Sequence, residues 1–129
     1  MVQAGDLVII HADATKTKPG SRFWIHARNV SSAILFLLKH GAIREKYNIV
    51  GEREVDNLAL AQVIARELGK PLRYEMVDFH SSRPGHDLRY ALDGGRMQEL
   101  GWQIPMSFEE SLHRTIQWSI NHPRWLQAK

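Results

Sequence analysis

Short β-branched runs alternate along this chain with longer segments whose apolar residues recur at helical spacing. Residues 7–10 and 74–77 have the composition and length of strands, and residues 22–25 and 47–50 predict two further extended segments. Four other segments predict helices. Because strands alternate with helices, the sequence predicts an α/β fold rather than an all-α fold.

Two asparagines stand where the first two helices are predicted to begin. Asn29 can cap a helix that runs to about residue 39 and ends before Gly41, and Asn57 can cap a second helix that ends before Gly69. The apolar residues of the first helix are expected on one side of it and comprise Val30, Ala33, Ile34, Leu37 and Leu38.

The last two helices lie near the end of the chain. A short helix is expected over residues 93–100 and is closed by Gly101. The final helix opens with a capping box formed by Ser107 and Glu110 and ends before Pro123. The sequence therefore predicts about four helices, connected by short strands and loops.

The length and composition are those of a single globular domain covering residues 1–129. Hydrophobic residues make up 43% and charged residues 24% of the chain, and there is no cysteine. No apolar run approaches the roughly 18 residues of a spanning helix, and the first residues lack the pattern of a secretory signal. We therefore expect a cytoplasmic protein with no membrane partner, no disulfide and no thiolate zinc site.

Basic and acidic residues are mixed along the chain. The 17 basic and 14 acidic residues give a formal charge of +3, and no stretch gathers five or six like charges. The electrostatic footprint of a nucleic-acid binder is therefore missing, so we expect no nucleic-acid partner. A weak basic excess suits an anionic small molecule equally well.

Residues 78–90 are predicted to form a polar loop after a strand, and they contain Arg83, His86 and Arg89. Guanidinium groups recognise phosphate through paired N–H donors, and ligands commonly bind at strand ends. The alternative is a solvated surface loop in which Asp87 pairs with an arginine. The residues alone leave both readings open.

Arg22 and Asn57 have similar alternatives. Arg22 opens an aromatic strand, where it can bind a phosphate oxygen, stack on a base, or lie at an edge in water. Asn57 has a sufficient structural role as a helix cap, to which a ligand contact would be an addition.

Several chemical motifs are missing from the sequence. There is no Gly-x-Gly-x-x-Gly loop for a dinucleotide, no Tyr-x-x-x-Lys pair and no Gly-x-Ser-x-Gly nucleophile elbow. The seven histidines show no His-Glu-x-x-His spacing. We therefore expect no catalytic residue, no cofactor site and no metal site in this chain.

The order of the segments resembles the C-terminal, substrate-binding part of the dTDP-glucose 4,6-dehydratase group. This group belongs to the NAD-dependent epimerase/dehydratase family of extended short-chain dehydrogenases/reductases. The most specific segment is Arg-Pro-Gly-His-Asp-Leu-Arg-Tyr at residues 83–90. The supporting segments are residues 20–30, 47–51, 57–70, 100–102, 107–110 and 116–118 with Trp125. The resemblance implies the small C-terminal lobe of such an enzyme, without its Rossmann cofactor domain.

The resemblance also implies roles for individual residues. Arg22 matches the arginine that contacts the nucleotide diphosphate, and Asn57 matches an asparagine of the nucleotide site. Arg83 and His86 match the loop that closes over phosphates and base, whereas Asp87, Arg89 and Tyr90 are expected to hold that loop in place. The family usually has Val-Glu-Asp or Val-Asp-Asp at residues 27–29, where Asn29 keeps the capping function without the charge.

Two functions follow from this resemblance. The first is the sugar-nucleotide-binding portion of a dehydratase or epimerase, which takes a dTDP- or UDP-linked sugar and has no turnover alone because NAD binds elsewhere in the full-length family. The alternative is a stand-alone nucleotide-binding or oligomerisation module derived from such an enzyme. Its partners would be a second copy of the chain or the missing Rossmann domain.

Overall fold

A computed structural model describes residues 2–82 and 87–126 of the chain and shows short strands alternating with helices. The strands are β1 (Val8–Ala12), β2 (Ser21–Phe23), β3 (Glu54–Asp56), β4 (Tyr74–Asp78) and β5 (Arg89–Tyr90). The α-helices are α1 (Ala27–His40), α2 (Asn57–Glu67), α3 (Phe79–Ser82), α4 (Gly95–Glu99) and α5 (Phe108–Asn121). Single 3₁₀ turns are formed by Val2–Ala4 and Pro123–Trp125. This order confirms the predicted α/β class.

The described residues form two compact units. The first contains residues 2–22, 54–82 and 87–90, and the second contains residues 23–53 and 91–126. The expectation of a single domain over the whole chain stays a prediction.

Two small sheets organise the first unit. Strands β1 and β4 pair in parallel, with Val8 opposite Tyr74 and Ala12 opposite Asp78. Strands β3, β2 and β5 form the second sheet in that order, and β2 runs parallel to β5. Helix α2 contacts β1 and β3. Small side chains at Ala61 and Ala65 are buried on this helix, which allows close packing against the strands.

The second unit is built around a core of α1, α4 and the segments that follow them. Ala33, Met97 and Trp102 are buried at its centre. The partly buried residues packed against them are Ile25, Phe36, Leu37, Tyr47, Ile49 and Ile104. Trp102 therefore lies in the core of the second unit.

Helix α1 begins earlier than predicted, and its buried face is different. The helix is capped by His26, whose Nδ1 atom accepts a hydrogen bond of 3.0 Å from the Arg28 amide. The prediction of an Asn29 cap is therefore wrong. Asn29 is buried in the first turn, where its Nδ2 atom donates to the Met106 carbonyl at 2.8 Å. A buried amide needs such a partner, which explains why an uncharged residue suits this position.

Part of the apolar face predicted for α1 is exposed. Ile34 and Leu38 retain 49% and 78% of their accessible surface, while Ala33, Phe36 and Leu37 line the core. Successive residues turn by about 100° in a helix, so these two sets lie on neighbouring faces. Both faces are apolar, and hydrophobic spacing alone did not distinguish them.

The predicted strand at residues 47–50 is not formed. Tyr47 and Ile49 point their side chains into the core of the second unit, and the Asn48 side chain donates to the Asp93 carbonyl at 2.9 Å. Among the described residues, no strand pairs with this segment. Side-chain contacts hold it in place instead of a backbone ladder.

The remaining helix boundaries follow the sequence closely. Ser107 caps α5 by accepting a hydrogen bond from the Glu110 amide, and Asn57–Glu67 is followed by Gly69 with a positive φ of 60°. Within the described residues, no helix is long and apolar enough to cross a bilayer.

Gly51 provides a test of the packing in the second unit. A methyl group at this position would overlap with the backbone carbonyl of Trp24, which has no side-chain freedom to move aside. We expect Gly51→Ala to lower the free energy of unfolding by about 3 kcal/mol, the upper range for forced overpacking. Urea unfolding followed by circular dichroism measures this change.

Gly95→Ala is the matched control. Its added methyl group would approach only the side-chain carboxylate of Asp93, at 3.1 Å, and no backbone atom. Equal unfolding midpoints for the two variants would contradict the close approach of Gly51 to Trp24.

Candidate functional site

Arg22 lies in β2, in the middle of the three-stranded sheet of the first unit. Its register partner on β5 is Tyr90, and the guanidinium carbon lies 4.3 Å from the centroid of the tyrosine ring. The Nη1 atom also donates to the Ser21 carbonyl at 2.9 Å. Within the described part of the chain, no carboxylate pairs with Arg22. Among the residues that the structure describes, its guanidinium therefore lies against an aromatic face and is not paired with a carboxylate.

Asn57 is the first residue of α2 and not its cap. The cap is Asp56, whose Oδ1 atom accepts a hydrogen bond of 2.7 Å from the Ala59 amide. The capping role predicted for Asn57 is therefore wrong by one position. Both residue types favour caps, so the sequence offered two adjacent candidates. The consequence is that the Asn57 side chain has no helix-capping task.

Gly20 brings Asn57 next to the strand that carries Arg22. The backbone N–H of Asn57 donates to the Gly20 carbonyl at 2.9 Å. A β-carbon at Gly20 would lie 3.1 Å from the Leu88 carbonyl oxygen and 3.4 Å from the Asn57 side-chain nitrogen. Only glycine permits this approach without displacing its neighbours. Arg22 therefore lies in β2, and Asn57 lies at the start of α2, which is hydrogen-bonded to the residue just before that strand.

The Glu54 carboxylate connects all three strands of this sheet. It accepts hydrogen bonds from Arg89 Nε and Nη2 on β5, both at 2.8 Å, and from the Ser21 hydroxyl on β2 at 2.5 Å. These bonds, those from Arg89 first, lower the pKa of Glu54 from its usual 4.5 to about 2. The same pairing raises the pKa of Arg89. Arg89 is thus committed to Glu54.

Sequence reasoning missed Glu54. Its partner Arg89 is 35 residues away, and no local spacing links them. Only the placement of β3 and β5 on either side of β2 brings the two side chains together.

The segment predicted as one polar loop, residues 78–90, contains two regular elements. Residues Phe79–Ser82 form α3, and Arg89–Tyr90 form β5. Arg83 and His86, the other two predicted site residues, lie outside the described residues. Asp87 is exposed, and the Leu88 carbonyl accepts a hydrogen bond from the Ser21 amide at 2.9 Å. The end of the predicted loop is therefore anchored to β2.

Over residues 2–82 and 87–126, no three histidine or acidic side chains are grouped as metal ligands would be. The chemistry available to the described site is therefore that of a guanidinium, an amide and an aromatic ring. Such groups bind and orient anions and planar groups.

Comparison with known proteins gives the family. No family model matches the chain. A curated dTDP-glucose 4,6-dehydratase of Xanthomonas campestris pv. campestris is 32% identical over 134 residues, covering 97% of this chain and 37% of that enzyme. The chain therefore spans little more than a third of the length of this curated relative.

Solved structures agree with the sequence relatives. The dTDP-glucose 4,6-dehydratase of Bacillus anthracis, solved with NAD, superposes with a TM-score of 0.77 at 31% identity, covering 95% of this chain and 37% of that one. The dTDP-glucose 4,6-dehydratase of Streptomyces venezuelae, solved with NAD and TYD bound, gives a TM-score of 0.74 at 32% identity, covering 95% of this chain and 36% of that one.

The fold and these matches define a class: the chain corresponds to the C-terminal part of the NAD-dependent epimerase/dehydratase family, the extended short-chain dehydrogenases/reductases. Within that family, the proteins it resembles at 31–34% identity include several dTDP-glucose 4,6-dehydratases. The resemblance read from the sequence is confirmed at both levels.

The division of roles between Asp56 and Asn57 is testable by stability. We expect Asp56→Ala to lower the free energy of unfolding by about 1 kcal/mol because it removes a helix cap. Asn57→Ala should change stability by less than about 0.5 kcal/mol, the usual range for a position without such a role. Urea unfolding measures both. The reverse ranking would restore Asn57 as the cap.

The Glu54 pairing makes stability depend on pH. Because the folded pKa lies below the unfolded one, the pairing stabilises the fold above pH 4.5 and is lost as pH falls toward about 2. We expect Glu54→Gln to destabilise the protein near neutral pH and progressively less across this acidic range. Urea unfolding over a pH series measures the difference between variant and parent.

Arg89→Gln should reproduce the same pH dependence, because it removes the partner that lowers the pKa of Glu54. A difference between Glu54→Gln and parent that stays constant with pH would show that the carboxylate is unpaired.

Proposed function

We propose that this chain is the sugar-nucleotide-binding portion of a dTDP-glucose 4,6-dehydratase-like enzyme, with Arg22 and Asn57 at the nucleotide diphosphate. The observation that carries the proposal is the set of contacts made by the Arg22 guanidinium. Its guanidinium rests on Tyr90 and, among the described residues, is not neutralised by a carboxylate. A guanidinium without a carboxylate partner is suited to bind phosphate through two parallel N–H donors.

Asn57 supports the same proposal. The NH₂ group of its side chain can donate to a phosphate oxygen, and its side-chain carbonyl can accept from a base or a ribose hydroxyl. Asp56 already caps the helix. Arg83 and His86 directly precede residues 87–90 in the sequence, and Leu88 to Tyr90 are anchored to β2. We propose that these two residues complete the contacts to phosphates and base.

The relatives offer a ligand of the matching chemistry. The Streptomyces venezuelae dTDP-glucose 4,6-dehydratase was solved with NAD and TYD bound. We propose a dTDP- or UDP-linked sugar as the ligand of this chain, in a cytoplasmic setting. Binding should be weak, because a shared pocket with part of its walls missing buries less of the ligand.

We propose no turnover by this chain alone. Its sequence contains neither the Gly-x-Gly-x-x-Gly loop nor the Tyr-x-x-x-Lys pair through which NAD would be held and used. The chain's own contribution is to bind and orient the nucleotide, whereas the hydride chemistry needs NAD held elsewhere.

The alternative is a stand-alone module that binds a nucleotide or self-associates. Exposed apolar side chains on α1, including Leu35 at 63% and Leu38 at 78% of their accessible surface, favour some association. The partner could be a second copy of the chain or a separate Rossmann domain.

A binding experiment tests the proposal. We expect dTDP or UDP to bind the parent chain and Arg22→Ala to weaken that affinity by about tenfold or more, because a charge-assisted contact to phosphate contributes about 1.5–3 kcal/mol. Isothermal calorimetry with a panel of nucleoside diphosphates and their sugars measures this. Arg83→Ala should weaken binding in the same direction.

Arg66→Ala is the matched control, because Arg66 lies in the last turn of α2 and is not part of the site. Equal losses in Arg22→Ala and Arg66→Ala would indicate a general charge effect. If no nucleotide binds and light scattering shows a stable dimer, the self-associating module replaces the proposal.

A further inference from the structure

Tyr90 has a contact that the resemblance does not explain. The resemblance assigns it to holding the loop, but its ring lies beneath the Arg22 guanidinium at 4.3 Å. Tyr90 retains 46% of its accessible surface, so the ring is not a core residue. Its main described contact is therefore with the arginine proposed to bind phosphate.

The position of Tyr90 is fixed by its neighbours. Strand β5 contains only Arg89 and Tyr90, and Arg89 is tied to Glu54 by two hydrogen bonds of 2.8 Å. Just before the strand, the Leu88 carbonyl accepts from the Ser21 amide at 2.9 Å. Both ties join β5 to the sheet that carries Arg22, which fixes the ring opposite Arg22 in register.

The ring limits the freedom of Arg22 without using its donors. A free arginine side chain loses rotational freedom when it binds a ligand, and this loss reduces affinity. A guanidinium above an aromatic face is attracted by the ring quadrupole, while its N–H donors remain in its own plane. One Nη1 donor goes to the Ser21 carbonyl, and the other donors, which bond to no other residue in 2–82 or 87–126, can serve an anion.

We propose that Tyr90 is a positioning residue, which holds the Arg22 guanidinium in the orientation that receives a diphosphate. This inference rests on the proposed function, since it assumes that Arg22 binds the nucleotide. Glu54 contributes indirectly, because its bonds to Arg89 hold the strand on which Tyr90 lies. The ring of Tyr90 is required for this role, and its hydroxyl is not.

Two substitutions of Tyr90 distinguish the effect of its aromatic face from the effect of its side-chain size. Tyr90→Leu keeps a large apolar side chain and removes the aromatic face, whereas Tyr90→Phe keeps the face. We expect Tyr90→Leu to weaken dTDP affinity about threefold, as an exposed cation–π contact predicts, and Tyr90→Phe to bind as the parent does. Calorimetry on the full chain, well below its unfolding temperature, measures these affinities.

The same substitutions in an Arg22→Ala background test whether Tyr90 acts through Arg22. We expect Tyr90→Leu to cause no further loss of affinity there, because the guanidinium it positions is gone. An equal threefold loss in both backgrounds would overturn the proposal and make Tyr90 an independent contact or a purely structural residue.

Nuclear magnetic resonance observes the contact without any ligand. The side-chain protons of Arg22 should be shifted upfield by the ring in the parent and in Tyr90→Phe, and not in Tyr90→Leu. If Tyr90→Leu does not fold, Tyr90→Val takes its place, since a β-branched residue suits a strand.

The outcomes distinguish the two proposals. If the parent binds dTDP and Tyr90→Leu binds equally well, the positioning role is wrong and the proposed function stands. If neither dTDP nor UDP binds the parent, the proposed function fails and the positioning role fails with it. Unshifted Arg22 protons in the parent would overturn the positioning role whatever the affinity.

Discussion

The hydrogen bonds of the Glu54 carboxylate hold together the part of the molecule that carries the candidate site. Arg89 and Ser21 reach this one group from β5 and β2, and its low pKa keeps it charged well into the acid range. Strands of two or three residues have few ladder bonds of their own. The side-chain hydrogen bonds of Glu54 therefore help to keep these short strands in register.

The site combines a fixed positive charge with an amide at the start of a helix. Arg89 and Arg22 are neighbours in the sheet but differ in state, because Arg89 is neutralised by Glu54 and Arg22 rests on an aromatic ring. Arg89 thus stabilises the sheet, and we propose that Arg22 binds an anion. The match to dTDP-glucose 4,6-dehydratases gives this anion a chemical class, a nucleoside diphosphate sugar, as our proposal for the chain.

Sequence patterns predicted the α/β class, four of the five described helices and three of the four extended segments. The sequence did not identify the N-caps of α1 and α2. His26 and Asp56 cap these helices, but Asn29 and Asn57 lie nearby and are residue types that also favour caps. Residues 47–50 have strand composition but no strand partner among the described residues, and a single segment cannot reveal whether a partner exists. The roles of Glu54 and Tyr90 depend on contacts between segments that are far apart in the sequence. Local sequence patterns do not reveal such contacts.

The adjacent positions 56 and 57 have a consequence for how this surface can change over evolutionary time. Asp56 satisfies the helix terminus, so the neighbouring side chain is released from folding constraints. With Asn57 at the nucleotide, as we propose, its replacement alters which ligand is preferred at little cost to the stability of the chain. Replacement of Asp56 carries a folding penalty whatever ligand is bound. New preferences can therefore arise by drift at position 57 while the scaffold around it stays intact.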